Sequence, residues 1–360
     1  MKKLGSIFLA AVFLLVTFVP VSAGEWDLYG SARVGTFYTD LDEADTTRFT
    51  HDLQGNARIG ANVKTGNVGG RFEYGTGGGN ANIRLLYGTV DLGFGELLAG
   101  QHYTPFGIGS FISTQVYGTD NGLLEFVPYS GRQPLVQLSV EGLKIALVKP
   151  FQATYPVPFV FDEDDEIPAD IAAVLAPLLR TTTTGNPEVL LPQLQLSYDI
   201  RMDGVAVNLA GAFQTYDLND GDGDTLTAWG AGANVRLTMM DPLYLNVGGF
   251  YGQNVGNFGQ AWGSRLSRAD ITDPDDIEDA NTYAGAVVLG AKLDTIGVEA
   301  GVGFRNDELG DVDEDIMAYY LQATVPLSQD GRARIIPEVG MYDYENEDLL
   351  YFGLQWRIDF

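Results

Sequence analysis

The segment from Leu350 to Phe360 alternates without interruption. Leu350, Phe352, Leu354, Trp356, Ile358 and Phe360 share one parity, and Tyr351, Gly353, Gln355, Arg357 and Asp359 share the other. Successive strand side chains point to opposite faces, so this is a strand with one apolar and one polar face. A soluble sheet with one wet face gives the same alternation. Here the apolar face ends on an aromatic carboxylate, which suits a strand whose rings sit at a membrane interface. The same period recurs along a chain of 360 residues that carries 45 Gly, 18 Tyr and 19 Phe.

The first strand sets Trp26, Leu28, Ala32 and Val34 against Asp27, Ser31 and Arg33. In the second, Leu53, Ala57, Ile59, Ala61 and Val63 point outward while Gln54, Asn56, Arg58, Asn62 and Lys64 point inward. Thr65-Gly66-Asn67 then reads as a tight hairpin turn. The third strand carries Val68, Phe72 and Tyr74 against Arg71 and Glu73, and the fourth Ile83, Leu85 and Tyr87 against Arg84. The fifth runs from Glu96 to Tyr103. Eleven more follow near 133–140, 143–149, 193–201, 205–216, 226–238, 243–252, 281–293, 296–306, 316–325, 332–344 and 350–360. The count is sixteen, with fourteen or eighteen still open. Short turns alternate with long loops. The expected fold is all-β: a transmembrane antiparallel β-barrel with short periplasmic turns and long external loops. Sixteen strands enclose an aqueous channel, whereas about eight are filled by side chains.

Lys2 and Lys3 precede an apolar run from Leu4 to Val19, and Val21-Ser22-Ala23 is a small-residue cleavage site. Residues 1–23 therefore read as a signal peptide and 24–360 as a single barrel domain. A membrane anchor is the other reading of that stretch, but the polar Gly24-Glu25 continuation favours cleavage. Beyond it no segment approaches the ~18 apolar residues of a membrane helix, so membrane contact has to come from strands. The chain has no Cys and 2 His, which excludes a disulfide framework, a Cys nucleophile and a His-rich metal centre. A net charge of −27 argues against nucleic acid as a partner.

Two loops stand out. Residues 104–132 hold Ile108, Phe111, Ile112, Val116, Leu123, Leu124 and Phe126, with Asp120 and Glu125 the acids. A loop in water has no use for so many apolar groups, so this one is expected to pack against the barrel interior and narrow it. Packing over the mouth or on a neighbouring subunit is the other possibility. The loop 150–191 contains the acid run Asp162 to Glu166 and a helical-looking stretch from Ile167 to Leu179, read as a short surface helix.

Asp27-Leu28-Tyr29-Gly30 resembles the opening of the first strand of Gram-negative general porins. Gly100-Gln101-His102-Tyr103-Thr104-Pro105-Phe106 resembles the strand-to-loop entry of proteobacterial porins of the same superfamily, and Phe360 fits as well. The resemblance covers the whole chain after residue 23 in layout. It implies a homotrimer of sixteen-stranded barrels in the outer membrane whose third loop folds inward to narrow each pore. The chain departs from the family where an acidic Pro-Glu-Phe-Gly-Gly-like segment is usual: it reads Pro105-Phe106-Gly107-Ile108-Gly109.

The chemistry expected of such a pore is electrostatic. Arg33, Arg58, Arg71 and Arg84 lie on four successive strands with inward parity, and Arg357 joins them when the barrel closes. Inward Arg is cheap in a wet lumen but costs roughly 2–4 kcal/mol at a lipid-facing midplane. Read functionally, they form a basic wall facing Asp120 and Glu125 across the constriction. Read structurally, they are lumen residues paired with Glu73, Glu96 or Asp359. Acids gather in the external loops at 162–166, 217–224, 270–279 and 307–315, which predicts a weak preference for cations. Asp220, Asp222 and Asp224 are spaced like a calcium loop but lack its Gly and Glu, so weak calcium binding is the most they suggest and no other cofactor is called for. Neither His51, placed in the first external loop, nor His102 has a visible Ser or acid partner, so no enzyme is expected. The function expected is passive diffusion of ions and small hydrophilic solutes. A solute-specific channel for an anion or sugar, and a non-conducting structural or adhesive barrel, are the alternatives.

Overall fold

The computed structural model describes residues 24–360 apart from 43–45, 78–79, 110, 119, 121, 152–154, 157–183, 186–188, 190, 218–224, 239–240, 261–264, 271–276 and 346. The stretch 1–23 read as a signal peptide, the acid run 162–166, the helix read at Ile167 to Leu179 and the trio Asp220, Asp222 and Asp224 lie outside the described residues.

Sixteen strands form the wall. On one side are β1 (Glu25–Leu41), β2 in two segments (Thr46–Leu53 and Arg58–Thr65), β3 (Val68–Gly75), β4 (Asn82–Asp91), β5 (Glu96–Tyr103), β6 (Arg132–Val140) and β7 (Leu143–Val148). The other side comprises β8 (Gln193–Met202), β9 (Val205–Asp217), β10 (Thr225–Thr238), β11 (Leu243–Gln253), β12 (Ala280–Lys292), β13 (Gly297–Leu309), β14 (Val312–Pro326), β15 (Ala333–Tyr344) and β16 (Glu347–Asp359). Each strand pairs antiparallel with the next. β1 closes the ring on β16, with Ser31 opposite Asp359 and Leu41 opposite Leu349. Closure leaves no sheet edge along the ring to satisfy in a hydrocarbon solvent. The short turns use residues that tolerate left-handed backbone: Gly66 at φ +61° and Gly204 at φ +69° each close a two-residue hairpin.

The usual polarity is inverted. Leu28, Ile59, Leu86, Leu147, Leu321, Phe352 and Trp356 face outward and are exposed, Leu28 to 73%. Gln193, Gln195, Gln214, Gln355, Glu73 and Arg305 are buried inside. An apolar belt around a polar interior is stable only where the outer solvent is itself apolar. The largest apolar cluster sits inside the ring. It joins Ile112, Val116, Leu123, Leu124, Phe126 and Val127 to Phe37, Ile336, Tyr342 and Tyr351 on the inner wall. The apolar loop thus finds its partner surface in the lumen.

Two features depart from strict alternation. A bulge shifts the register between Glu73 and Tyr74, so Glu73 faces Leu85 while Tyr74 faces Ile83. The extra residue on β4 reverses parity after Arg84. Leu85 is therefore buried and Leu86 exposed, which corrects the expected grouping of Ile83, Leu85 and Tyr87 on one face. The second departure is the break in β2 at residues 54–57. Gln54 faces inward as its parity predicts, but Ala57, expected outward, is buried at the end of the break. His51 sits on β2, hydrogen-bonded to Thr36 at 2.8 Å, not in a loop.

Gly30 explains part of the opening motif. Its N–H and C=O bond the main chain of Phe360 at 2.7 and 3.0 Å, and a side chain at position 30 would occupy the place of the Phe360 ring.

Candidate functional site

The loop from Thr104 to Gly131 enters the lumen and runs along the inner wall, and strand side chains hold its backbone at almost every step. Gln195 accepts from the N–H of Phe106 at 2.8 Å, and Arg236 donates to the carbonyl of Phe111 at 2.6 Å. Glu299 takes the N–H and hydroxyl of Thr114 at 2.6 and 2.8 Å, together with the hydroxyls of Tyr244 and Tyr320. Glu338 takes the N–H groups of Val116 and Tyr117 at 2.7 and 2.9 Å. Gln54 donates to the carbonyls of Val116 and Gly118 at 2.7 and 3.0 Å. On the return, Gln260 accepts from the N–H of Tyr129 at 2.9 Å and donates to the carbonyl of Val127 at 3.1 Å. An irregular segment away from water needs such partners for its peptide groups, and here the barrel supplies them. Glu299, Glu338, Gln54 and Gln260 were not singled out by sequence reasoning. Inward polar parity was the only signal for Glu299, Glu338 and Gln54, and they share it with many lumen residues; Gln260 lies in the connection between β11 and β12 and had no such signal.

Between the seated loop and the wall of β1 to β6 and β14 to β16 lies a cavity of about 610 Å³. Arg33, Arg58, Arg84 and Arg357 line it, so four of the five arginines named from sequence meet around one space. Arg71 does not line it. Arg71 lies over the Tyr29 ring at 5.0 Å and reaches Glu73 at 3.1 Å. Glu73 also takes Arg84 at 2.7 Å and Arg58 at 3.5 Å, so one carboxylate serves three guanidiniums. Asp359 serves Arg357 at 3.0 Å and also Arg334. Two arginines absent from the sequence reading, Arg132 and Arg334, complete the lining. Arg334 has visible inward parity, whereas Arg132 falls at the end of the loop expected from sequence and carries none; only the path of the loop shows which positions share a space. Glu96 is not among the ion pairs of the described residues.

The two loop acids do not form an opposing face. Asp120, at φ +69°, is ion-paired to Arg33 and thus touches the wall. Glu125 does not line the cavity at all. It sits in a single 3-10 turn, Leu124–Phe126, whose three side chains splay about a third of a turn apart. Leu124 takes the cavity side, and Glu125 turns to Arg305 and Tyr342 instead. The main-chain carbonyl of Glu125 accepts from Arg305 at 3.2 Å, while its enclosed Oε1 has no hydrogen-bond partner.

Burial pushes the Glu125 carboxyl up to about 7, against a hydrogen bond with Tyr342 and the charge of Arg305. The seated loop thus favours the protonated acid. That contribution is full below the ordinary carboxyl range near 4.5 and is lost as pH rises through about 7. Proteolytic cutting within 104–132 is expected to increase from about pH 6 to about pH 8, and Glu125→Gln is expected to flatten that dependence. Equal cutting at both pH values in the unaltered chain contradicts this.

Among the described residues no group of three or more His, Asp or Glu is arranged to hold a metal ion. His102 stacks edge-on against Tyr87 at 4.7 Å and donates from Nδ1 to the carbonyl of Tyr103 at 2.7 Å, an arrangement without a nucleophile.

No protein-family profile matches the chain, and no curated protein sequence does. Solved structures do. The outer membrane channel DcaP of Acinetobacter baumannii is 16% identical with a TM-score of 0.69, over 95% of this chain and 99% of that one. An anion-selective porin from Comamonas acidovorans is 12% identical with a TM-score of 0.57, over 94% and 100%. The trimer form of OmpT, an outer membrane protein of Vibrio cholerae, is 15% identical with a TM-score of 0.54, over 93% and 100%. The chain therefore has the porin fold, a closed barrel of sixteen antiparallel strands.

Proposed function

We propose that this chain forms a water-filled pore in the outer membrane of a Gram-negative bacterium, passing small hydrophilic solutes passively with a preference for anions. The observation that carries the anion preference is the charge around the cavity. Among the described residues, the six guanidiniums that line the cavity and Arg71 behind Glu73 stand against three carboxylates (Glu73, Asp120 and Asp359), a surplus of four positive charges, with Arg132 paired to none of them. This departs from the cation preference expected from the acidic loops. Charge in a confined space with low-dielectric walls acts on every passing ion, whereas charge at an open mouth is screened within ~10 Å at 0.1 M salt.

A trimer suits the wall heights. β3, β5 and β7 have 8, 8 and 6 residues, against 11 to 15 for β9 to β16. A strand needs ~9–11 residues to cross hydrocarbon, so the low side is better matched to protein neighbours than to lipid.

The test is the purified protein in a planar bilayer under a tenfold KCl gradient. Openings in groups of three with a reversal potential on the anion side are expected. A reversal potential on the cation side overturns the assigned preference, and absence of conductance from a folded barrel overturns the pore.

A further inference from the structure

We propose that the loop side of the arginine-lined cavity is a binding site for aromatic monocarboxylates, an inference that rests on the pore reading for access to the site but not for binding itself. Arg132 is the one cavity arginine that has no carboxylate within ion-pair distance among the described residues. Its guanidinium stands over the Tyr103 ring, 5.5 Å from the centroid, and its enclosed Nη1 has no hydrogen-bond partner. An enclosed charged donor left unpaired is costly unless something pairs with it. The five other cavity arginines each hold a carboxylate already, so one guanidinium is open to one added anion.

What surrounds Arg132 selects the body of that anion. Phe111 lies in the same cavity and is 44% exposed, an apolar ring presented to a wet lumen. Tyr103 meets Phe111 edge-on at 5.2 Å, and Tyr129 meets it at 6.1 Å. The two neighbours hold the ring in place while leaving part of it uncovered. A planar ring offered against Phe111 gains apolar burial and an offset or edge contact, and its carboxylate then falls to Arg132. An inorganic anion or a short aliphatic acid obtains only the charge. The cavity, at about 610 Å³, lies within the ~300–1,000 Å³ of ordinary small-molecule sites.

The experiment uses the purified full barrel in detergent micelles, with saturation-transfer NMR reading binding of benzoate and acetate separately from conduction. Benzoate is expected to bind about tenfold more tightly than acetate. Phe111→Ala is expected to erase that difference, and Arg132→Gln to weaken both acids. Phe94→Ala, at an exposed ring on the β4–β5 turn, is expected to leave binding as it was. Equal binding of benzoate and acetate, or a benzoate preference that survives Phe111→Ala, overturns the proposal. The bilayer measurement on the same protein then separates the two readings. Selective benzoate binding without any conductance keeps the site and removes the pore. Conductance without selective binding keeps the pore and removes the site.

Discussion

Exchanging Arg58 and Arg132 for glutamate is expected to abolish the pore's preference for anions, and adding Arg357→Glu to turn it towards cations. Each exchange moves the wall by two charges. The surplus of four falls to zero with two exchanges and becomes a deficit of two with three. A unit charge at 4 Å is worth about 1 kcal/mol even at the dielectric constant of water, or about fivefold in relative occupancy of a nearby ion, and more against a protein wall. The reversal potential under a KCl gradient is therefore expected to step through zero along the series Arg58→Glu, Arg58→Glu with Arg132→Glu, and the triple variant. The steps are expected to shrink in 1 M salt, where the screening length falls to ~3 Å. A potential that stays on the anion side in the triple variant places the selectivity outside this wall. Glu73 is left in place throughout, because it is buried and shared by three arginines. Its removal tests barrel stability instead of conduction.

Replacing Glu338 by alanine is expected to release the loop without opening the barrel. The carboxylate holds two consecutive peptide N–H groups, those of Val116 and Tyr117, at the turn where the loop crosses towards β1. Each buried N–H left without an acceptor costs about 1–3 kcal/mol, so the seated loop loses about 2–6 kcal/mol. The strand ladders carry the barrel and do not pass through this side chain: Glu338 pairs by its backbone with Gly353 and Gln322. A larger and noisier unit conductance is expected, with faster cutting inside 104–132. A heat-stable folded band on electrophoresis is expected to be retained. An unchanged conductance together with unchanged cutting means that the loop stands without this anchor. Phe126 supplies a second grip, packed against Gly303 where any side chain would collide with its ring. Gly303→Val is expected to loosen the loop in the same direction.

The strands were legible in the sequence because their causes are local. Leu350 to Phe360 alternates because lipid lies on one side of β16 and water or protein on the other, and no distant residue is needed to see it. Gly66 and Gly204 mark hairpins because their backbone angles are ones that other residues avoid. The inward parity of Arg33, Arg58, Arg71, Arg84 and Arg357 follows from the same alternation. The apolar content of 104–132 pointed to an inner wall, since such a segment gains by leaving water.

Parity fails where one residue is added or turned. The bulge at Glu73 reverses Leu85 and Leu86, and the break in β2 buries Ala57, which parity placed outward. Neither leaves a mark in the residue order, because both answer to the strand or loop opposite. Glu125 looked like a pore acid and instead meets Arg305 and Tyr342, because a 3-10 turn had to seat Leu124 and Phe126 first. Glu299 and Glu338 looked like any inward polar residue until the backbone of Thr114, Val116 and Tyr117 came to rest on them. By itself, the sequence determined which side chains face lipid and which face the lumen, through a period of two that each strand carries alone. Only the tertiary structure decided which lumen residues hold the loop and which line the passage. That choice depends on contacts between segments up to about 300 residues apart, such as Gln355 with Gln54.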